Sequence, residues 1–373
     1  MNLEINSPLQ GLTILDFTRL LPGPMATQLL AEMGATVLKI ESPDSPDYIR
    51  FFPPHAGEYS AYFNALNRGK KSLSINFSSE EGKAKIYELV KTADVLFEQY
   101  RPGIMDKMGF GYEQLKAINP KLIYVSITGY GQTGPMAQKA GHDINYLAIS
   151  GLLGITGDKK KPVIPGMQIA DVAGGSYMAV NGCLAALYSR SITGKGQHVD
   201  IAMTDAIMPL MALHYAQFQA EKKVLPRGMF ELSGRQANYN VYECADGKWV
   251  ALGALEPKFW DRFCDMIQQP EWKYNIMLPE AEMEAFKQEV AALFKTKTQA
   301  EWLQLSANED ICLTPVLDLS EIEHHEHIQY RQMLVKDENG FTSIANPIQF
   351  SDFPKHTGNA APALGRDNNL IEP

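Results

Sequence analysis

Three polar residues have the types and surroundings of proton-transfer groups: His142, Asp171 and Glu256. His142 follows a glycine and precedes an apolar helical run, so we expect it near a helix start. The positive end of the helix dipole disfavours imidazolium there and keeps the ring able to accept a proton. Backbone N–H groups at the same helix start are suited to stabilise an oxyanion. Taken alone, His142 fits a hydrogen-bonded structural histidine better than a base.

Asp171 stands in Ala170-Asp171-Val172-Ala173-Gly174-Gly175, and Glu256 directly precedes Pro257. Asp171 could be a helix N-cap, and the glycines beside it would let a ligand or another helix approach closely. Glu256 could compensate charge in the first turn of a helix. A histidine and a carboxylate near small residues are, however, what an enzyme needs if it moves a proton at carbon with two different bases.

A cluster of cations is the second candidate for chemistry. Arg68, Lys70 and Lys71 surround a glycine just before a strand, and Arg101 leads from a strand into a helix. In an acidic chain this cluster could hold phosphate groups, although a solvated surface turn explains it equally well. The spacing does not form a P-loop.

The run His324-His325-Glu326-His327 has metal-ligating residue types. Neighbouring side chains on a helix diverge by about 100°, which is poor ligand geometry. No second acidic or cysteine cluster completes a site, so we expect no metal.

Composition limits the classes of function. The chain has 373 residues and a net charge of −9, so it should repel phosphate backbones, and general nucleic-acid binding is not expected. The first ten residues lack a signal pattern, and no apolar run approaches the roughly 20 residues of a membrane helix. The four cysteines lack C-x-x-C spacing. These features predict a soluble cytoplasmic protein with reduced thiols.

The elements that position these residues begin with alternating strands and helices. Strand patterns cover residues 12–17, 36–40, 72–77, 95–97 and 122–127, and helical patterns cover residues 25–33 and 80–92. Such alternation predicts an α/β fold with a doubly wound, Rossmann-like parallel sheet. The G-x-G-x-x-G turn is missing after the first strand, so tightly bound NAD is not expected.

The second half changes its periodicity. We predict helices over 171–190 and 205–222, a strand over 198–203 between them, and a break at 225–228. A hairpin follows around Asp246-Gly247, then helices over 257–268, 280–294 and 299–305, and a strand over 314–317 that starts the return to the first domain. The predicted domains are a large domain (1–200, completed by 331–373), a linker helix (201–228) and a small α+β domain (229–330).

Several longer motifs resemble one family. They are Leu21-Pro22-Gly23-Pro24, Asn67-Arg68-Gly69-Lys70-Lys71-Ser72, Tyr100-Arg101-Pro102-Gly103, Gly129-Tyr130-Gly131-Gln132-Thr133-Gly134, Gly141-His142-Asp143-Ile144-Asn145-Tyr146, Ala170-Asp171, Thr193-Gly194-Lys195-Gly196-Gln197 and Ala254-Leu255-Glu256-Pro257-Lys258-Phe259. From about Leu12 to Leu317 the chain resembles the family III CoA-transferase (CaiB/BaiF-like) superfamily. His142 and Glu256 make it most similar to the α-methylacyl-CoA racemase branch.

The resemblance implies a Rossmann-like large domain, a smaller inserted domain and a homodimer whose chains interlock. It implies an acyl-CoA substrate, no resident cofactor and no metal. The CoA phosphates would lie toward Arg68, Lys70, Lys71 and Arg101. The thioester would lie against the segment that contributes Gly141, Asp143, Ile144, Asn145 and Tyr146. The active site would combine the large domain of one chain, with His142, and the small domain of the other, with Glu256.

The activity that the racemase branch implies is interconversion of R and S 2-methylacyl-CoA thioesters. His142 and Asp171 would exchange the α-proton through an enolate, and Glu256 would orient His142 or tune its proton affinity. The alternative is a CoA transferase in which Asp171 forms an acyl anhydride and CoA passes to a free carboxylic acid. A third possibility is an acyl-CoA-binding protein without turnover.

Two departures from the family's pattern bear on the acyl group and on CoA. Ser42 stands where an arginine near the CoA adenine is frequent, and Gly234–Tyr239 replaces the usual Gly-Gly-Ala-Pro segment.

Overall fold

The computed structural model describes residues 6–355 and 359–371. In chain order its strands are β1 (Thr13–Asp16), β2 (Thr36–Glu41), β3 (His55–Ala56), β4 (Tyr59–Ser60), β5 (Lys71–Ser74), β6 (Val95–Glu98), β7 (Ile123–Thr128), β8 (His198–Ala202), β9 (Tyr239–Glu243), β10 (Trp249–Gly253), β11 (Leu313–Val316), β12 (Leu334–Lys336) and β13 (Thr342–Ile344).

The α-helices are α1 (Pro22–Glu32), α2 (Ala61–Leu66), α3 (Glu80–Thr92), α4 (Ile104–Met108), α5 (Tyr112–Ile118), α6 (Asp143–Ser150), α7 (Leu152–Ile155), α8 (Met178–Thr193), α9 (Met203–Ala206), α10 (Ala212–Glu221), α11 (Pro257–Met266), α12 (Glu280–Phe294), α13 (Gln299–Leu305) and α14 (Glu326–Tyr330). A π-helix covers Ala170–Tyr177, and short 3-10 helices cover Tyr48–Phe51, Met208–Met211, Glu231–Ser233, Pro270–Met277, Ile322–His324 and Asn368–Leu370.

A six-stranded sheet with the order β5-β2-β1-β6-β7-β8 forms the first layer, and every pairing in it is parallel. Numbered within the sheet, this is the order 3-2-1-4-5-6 of the Rossmann fold. The register places Ile14 opposite Val37 on one side and Val95 on the other. The expected doubly wound α/β fold is confirmed.

Both faces of this sheet are buried, as parallel sheets require. Alternate residues such as Ile14, Val95 and Ile123 pack with α1 and α8 on one face. The intervening residues Leu15 and Leu96 pack with α3 and α5 on the other. The central strands β6 and β7 are therefore buried throughout and mostly apolar, which is why the sequence located them, whereas the edge strand β8 has exposed residues at His198 and Asp200.

The chain divides into two compact units. The first consists of the described residues of Met1–Leu153, Pro165–Met211 and Gln329–Pro373, and the second of Gly154–Ile164 and Ala212–Ile328. The sequence placed divisions at 201 and 229 and a return at 331. In the structure β8 and α9 belong to the first unit, whereas α10 belongs to the second.

The second unit contains an antiparallel sheet of order β11-β10-β9. The hairpin of β9 and β10 turns at Asp246-Gly247 as the sequence predicted, and Gly247 has a φ of 78°. The strand expected to start the return to the first domain is instead β11, which pairs with β10. That expectation was wrong because a strand pattern does not reveal its pairing partner.

Two predicted helices are interrupted. The helix expected over 205–222 is divided into α9, a 3-10 turn at Met208–Met211 and α10. Pro209 lies at the division, where it lacks an N–H and its ring obstructs a continuous helix. The helix expected over 171–190 begins as the π-helix and continues as α8.

No helix among the described residues is both long and apolar enough to cross a membrane. Cys183, Cys244 and Cys264 are buried free thiols, and Cys312 is an exposed one.

Candidate active site

His142 is the N-cap residue of α6, in extended conformation. Its backbone N–H donates to Asn145 Oδ1 at 3.0 Å, and its carbonyl accepts from the Asn145 N–H at 2.8 Å. This reciprocal cap fixes the entry of the chain into the helix. The His142 side chain is exposed. The expected position at a helix start is confirmed, and an exposed ring is open to a ligand.

Asp171 lies in the first turn of the π-helix, and a residue of α6 holds that turn. Asp143 Oδ1 accepts hydrogen bonds from the backbone N–H groups of Ala170, at 2.7 Å, and of Asp171, at 3.0 Å. The residue after His142 therefore contacts the backbone of Asp171. The structure brings the two helix starts that carry the predicted bases together in the first unit.

The Asp171 carboxyl has an altered proton affinity. Burial, the larger cause, and the negative charge of Asp143 together raise its pKa from 3.8 to about 6. A group with a pKa near neutrality can both release and accept a proton under physiological conditions. Among the candidate bases, Asp171 therefore has the electrostatic property that proton transfer requires.

Two tyrosines lie beneath these helix starts. The buried Tyr146 donates its hydroxyl to the Gly141 carbonyl at 2.6 Å, and its ring meets that of Tyr130 edge to face at 5.1 Å. A Cβ atom at Gly129 or Gly141 would lie 2.3 or 2.7 Å from the Tyr146 ring. Both glycines are required because this ring occupies the space of a side chain. Burial raises the pKa of Tyr146 to about 12, so the hydroxyl remains a donor.

Asn145 and Ile144 occupy the first turn of α6. Asn145 serves as the reciprocal cap of His142, and Ile144 is 39% exposed. The sequence assigned Gly141 and residues 143–146 to ligand binding. Of these side chains, those of Asn145 and Tyr146 have structural hydrogen bonds, and the Asp143 carboxylate holds the π-helix.

The glycines after Asp171 serve helix packing. A Cβ at Gly174 would lie 2.9 Å from the Met203 carbonyl of α9, and one at Gly175 would lie 2.8 Å from Pro22 of α1. Ser176 Oγ also donates to the Pro22 carbonyl at 2.7 Å. These glycines therefore permit the close approach of neighbouring helices, which is one of the two possibilities that the sequence left open.

The centre of the parallel sheet provides a second part of the site. The chain order reverses between β1 and β6, and ligands of doubly wound sheets bind at the carboxyl ends of such strands. Three residues follow these strands and contact one another there. Arg19 Nη2 donates to Tyr100 Oη at 2.7 Å, and Gln99 Nε2 donates to the Arg19 carbonyl at 2.6 Å.

Sequence reasoning gave no role to Arg19, Gln99 or Tyr100, although Tyr100 belongs to one of the family motifs. Their position directly after the two central strands was the available signal, but it is informative only once the strand order is known. Leu20, next to Arg19, has a φ of 63°, which is costly for a residue with a Cβ and is found often at ligand sites. Its N–H donates to both carboxylate oxygens of Asp47, which hold this conformation.

The predicted phosphate cluster is mostly occupied by internal partners. The Lys70 ammonium is fully buried and donates to Asp16 at 3.0 Å, to the Pro24 carbonyl and to Asn67. Its three N–H bonds are thereby used. Burial alone would raise the pKa of Asp16, but Lys70, Lys39 and two hydroxyls lower it to about 2. This pairing argues against Lys70 as a phosphate ligand.

Arg68 is also buried, and its Nη2 donates to Glu32 and to the Ile344 carbonyl. Its guanidinium connects α1 to the β13 segment rather than to a surface. The prediction that Arg68 holds a phosphate is therefore not supported by its surroundings. The sequence suggested that this cation-rich turn is accessible to a ligand, because it did not reveal the acidic residues that pair with Arg68 and Lys70 in the fold.

Lys71 and Arg101 remain as accessible cations. Lys71 is half-buried at the start of β5, and Arg101 is exposed directly after the central strand β6. Arg101 lines a cavity of about 240 Å³ together with Glu98 and Gln132. Burial raises the pKa of Glu98 to about 7, so this carboxyl is only partly ionised at neutral pH.

Glu256 belongs to the second unit. It directly precedes α11, where its carbonyl accepts the N–H groups of Phe259 and Trp260, and its side chain makes no capping bond. The side chain is exposed. Its expected place just before a helix that begins with proline is confirmed, although it is the N-cap residue and not part of the first turn. Its predicted effect on His142 stays a prediction.

The segment that departs from the family's pattern borders a cavity of the second unit. Gly234 and Tyr239, its two ends, line a space of about 460 Å³ with Cys312. Among the described residues, no group of three or more His, Cys, Asp or Glu side chains is arranged to hold a metal ion.

Comparison with known proteins gives one family. The sequence profile of CoA-transferase family III matches residues 9–368. The chain is 35% identical to alpha-methylacyl-CoA racemase of Homo sapiens over 331 residues, which is 88% of this chain and 83% of the relative. It is 34% identical to acetyl-CoA:oxalate CoA-transferase of Acetobacter aceti over 365 residues, which is 96% of this chain and 93% of the relative.

The fold has the same kind of relatives. The structure matches the crystal structure of a CaiB/BaiF family protein from Brucella suis with a TM-score of 0.88 and 30% identity, covering 98% of this chain and 99% of that one. Among the sequence relatives, the racemase and the oxalate CoA-transferase have nearly equal identity to this chain, 35% and 34%.

Proposed function

The chain belongs to CoA-transferase family III, and we propose that within this family it interconverts R and S 2-methylacyl-CoA thioesters. The observation that carries the proposal is the joining of the two helix starts at Asp143. It places the backbone of Asp171 beside the residue that follows His142. The raised pKa of Asp171 supports a role in proton transfer rather than a purely structural one.

In the proposed reaction one base removes the α-proton, and the C–H electron pair moves into an enolate whose negative charge lies on the thioester oxygen. The other base then returns a proton to the opposite face of the carbon. His142 and Asp171 serve as these bases. At the start one of them is unprotonated and the other carries a proton, and after the reaction these two protonation states are exchanged. The N–H groups of Asp143 and Ile144 precede the first backbone hydrogen bond of α6, which runs from Asn145 to the His142 carbonyl, so they can hold the enolate oxygen.

The CoA part is proposed to lie across the carboxyl ends of β1 and β6. Arg101 follows β6 at this edge and is accessible, whereas the other accessible cation, Lys71, begins the edge strand β5. Arg19 and Tyr100 add a cation and an aromatic face at the same edge, with the guanidinium 4.8 Å from the ring centroid. Anions and flat rings are the groups that such residues bind.

Replacement of either base tests the proposal. We expect His142→Ala and Asp171→Ala each to reduce the exchange of the α-proton of a 2-methylacyl-CoA in heavy water by about 100-fold or more, because general acid–base groups contribute at least that much. Mass spectrometry of the recovered thioester measures the exchange. Exposed His327 and Asp44 supply matched controls, and His327→Ala and Asp44→Ala should exchange at the parent rate. Parent rates in both base variants would refute the two-base mechanism.

The second candidate is a CoA transferase. The similarity to acetyl-CoA:oxalate CoA-transferase of Acetobacter aceti favours it, and Asp171 would then attack the thioester carbonyl and release CoA as an acyl anhydride forms. Hydroxylamine trapping distinguishes the two reactions. A hydroxamate at Asp171 after addition of acyl-CoA supports the transferase, and its absence together with α-proton exchange supports the racemase.

Glu256 is proposed to orient the His142 imidazole or tune its proton affinity, as the racemase resemblance implies. Glu256→Gln should then move the pH profile of exchange without abolishing acyl-CoA binding. An unchanged profile would remove Glu256 from the site.

A further inference from the structure

The carboxylate of Asp143 has two partners that are distant in sequence. Its Oδ1 accepts the N–H groups of Ala170 and Asp171, which lie 27 and 28 residues along the chain. Asp143 is itself the first residue of α6. A single carboxylate oxygen therefore joins the start of one helix to the start of another.

An ordinary helix cap would come from the residue that precedes the helix. Here the residue before the π-helix, Ile169, makes no side-chain cap, and the acceptor comes from α6. π-helical turns are rare and are found frequently at functional sites. The two hydrogen bonds that Asp143 accepts hold the first turn of this π-helix.

We propose that Asp143 is a positioning residue: its carboxylate anchors the first turn of the π-helix and so fixes the place of the Asp171 carboxyl next to His142. The inference rests on the proposed function, in which Asp171 is one of the two bases. The proposed function uses only backbone N–H groups at the start of α6. The inference adds a separate role for the Asp143 side chain.

The charge of Asp143 has a second effect on the same group. Burial is the larger cause of the raised pKa of Asp171, and the Asp143 carboxylate is the other cause. Tyr146 of α6 lies in the same cluster, because Asp171 and Asp143 both contribute to its raised pKa after burial. Arg101 acts on Tyr146 in the opposite direction. Removal of the Asp143 charge should therefore lower the pKa of Asp171.

The other elements packed against the π-helix carry few competing charges. These elements are α1, α8, α9 and β8. Their acidic and basic residues are Glu32 on α1, Arg190 on α8, Asp205 on α9, and His198 and Asp200 on β8. Asp143 is the charged residue whose effect on Asp171 the structure resolves.

Two substitutions separate position from charge. Asp143→Asn keeps the size of the side chain and an oxygen that can accept the two N–H bonds, but it removes the charge. Asp143→Ala removes both. Carbon-13 NMR titration of the labelled Asp171 carboxyl, assigned with Asp171→Asn, measures its pKa directly and needs no turnover.

In Asp143→Asn we expect the pKa of Asp171 to fall by roughly 1 unit, the size of shift that one nearby charge causes. The acidic limb of the exchange profile should move to lower pH by the same amount, since Asp171 loses its base form at lower pH. In Asp143→Ala we expect kcat to fall about 10- to 100-fold, the usual effect of a small misplacement of a reacting group.

An Asp171 pKa that is equal in the parent and in Asp143→Asn would overturn the charge effect. A kcat of Asp143→Ala equal to that of the parent would overturn the positioning role. If Asp143→Ala does not fold, Asp143→Asn still tests the inference through the titration of Asp171 and through its own melting temperature. A substitution that only weakened the structure would shift the melting temperature without changing the pKa of Asp171. A parent without α-proton exchange refutes the proposed function, while the titration still tests the inference.

Discussion

At the residue scale, Lys70 and Lys71 are neighbours in sequence but have different surroundings. We therefore expect one of them to contribute to the stability of the fold and the other to ligand binding. The Lys70 ammonium is fully buried against Asp16, whereas Lys71 is half-buried at the edge strand β5. A charge that loses its buried partner is left without solvent or counterion. Stability should therefore depend on Lys70, and ligand binding on Lys71.

Substitution with methionine tests this distinction. We expect Lys70→Met to lower the free energy of unfolding by about 3–5 kcal/mol, because the buried Asp16 carboxylate loses its ion-pair partner. We expect Lys71→Met to change it by less than about 1 kcal/mol and to weaken acyl-CoA binding. Urea denaturation and isothermal titration calorimetry measure the two effects. Equal stability of Lys70→Met and the parent would contradict the assignment.

The sequence located individual candidates better than it located their partners. His142 and Asp171 were found because small residues and helix starts surround them, and both features are local. Arg68 and Lys70 were misjudged because Glu32 and Asp16, which neutralise them, are 36 and 54 residues away. Burial of a charge depends on such distant partners, which a local pattern does not contain.

At the scale of elements, helices α12 and α13 have the predicted bounds, and the bounds of α3 also agree. The regular helical spacing of apolar residues and the residue types at the helix starts explain this agreement. The π-helix was read as an ordinary helix because its residues have the same apolar spacing. What distinguishes it is the pair of glycines, Gly174 and Gly175, which let α9 and α1 approach its backbone.

Gly174 provides the element-scale test. An added methyl would meet Ile207 at 2.8 Å and the Met203 carbonyl at 2.9 Å, so Gly174→Ala should destabilise the fold by about 1–3 kcal/mol and reduce exchange. Gly154→Ala is the matched control, since nothing lies within 4 Å of its added methyl. In α7 it should be neutral or stabilise by about 0.5–1 kcal/mol. Thermal unfolding that gave both variants the same stability would contradict the close packing of α9.

At the scale of the whole molecule, alternating strands and helices predicted the α/β class but not the order of the strands. The order β5-β2-β1-β6-β7-β8 arises from contacts between distant segments, and it makes β1 and β6, the strands that precede Arg19 and Arg101, neighbours in the sheet. The unit boundaries were less predictable, because residues 154–164 join the second unit from within the first half of the chain.

We also propose that the chain assembles as a homodimer, as the family resemblance implies. In the first unit Tyr188, Ile192 and Leu210 are 71%, 69% and 57% exposed, which is costly for apolar side chains in water. Sedimentation equilibrium should give twice the 41.5 kDa mass of one chain. A mass of a single chain at micromolar concentration would exclude the dimer.

The central claim is that the unaltered protein moves a proton at the α-carbon of a 2-methylacyl-CoA. The most direct measurement is incubation of the R thioester in heavy water without any free carboxylic acid, followed by mass spectrometry and chiral analysis. The account predicts one deuterium at the α-carbon together with the appearance of the S thioester. Unlabelled thioester of unchanged configuration, with CoA transferred only when an acceptor acid is added, would contradict it.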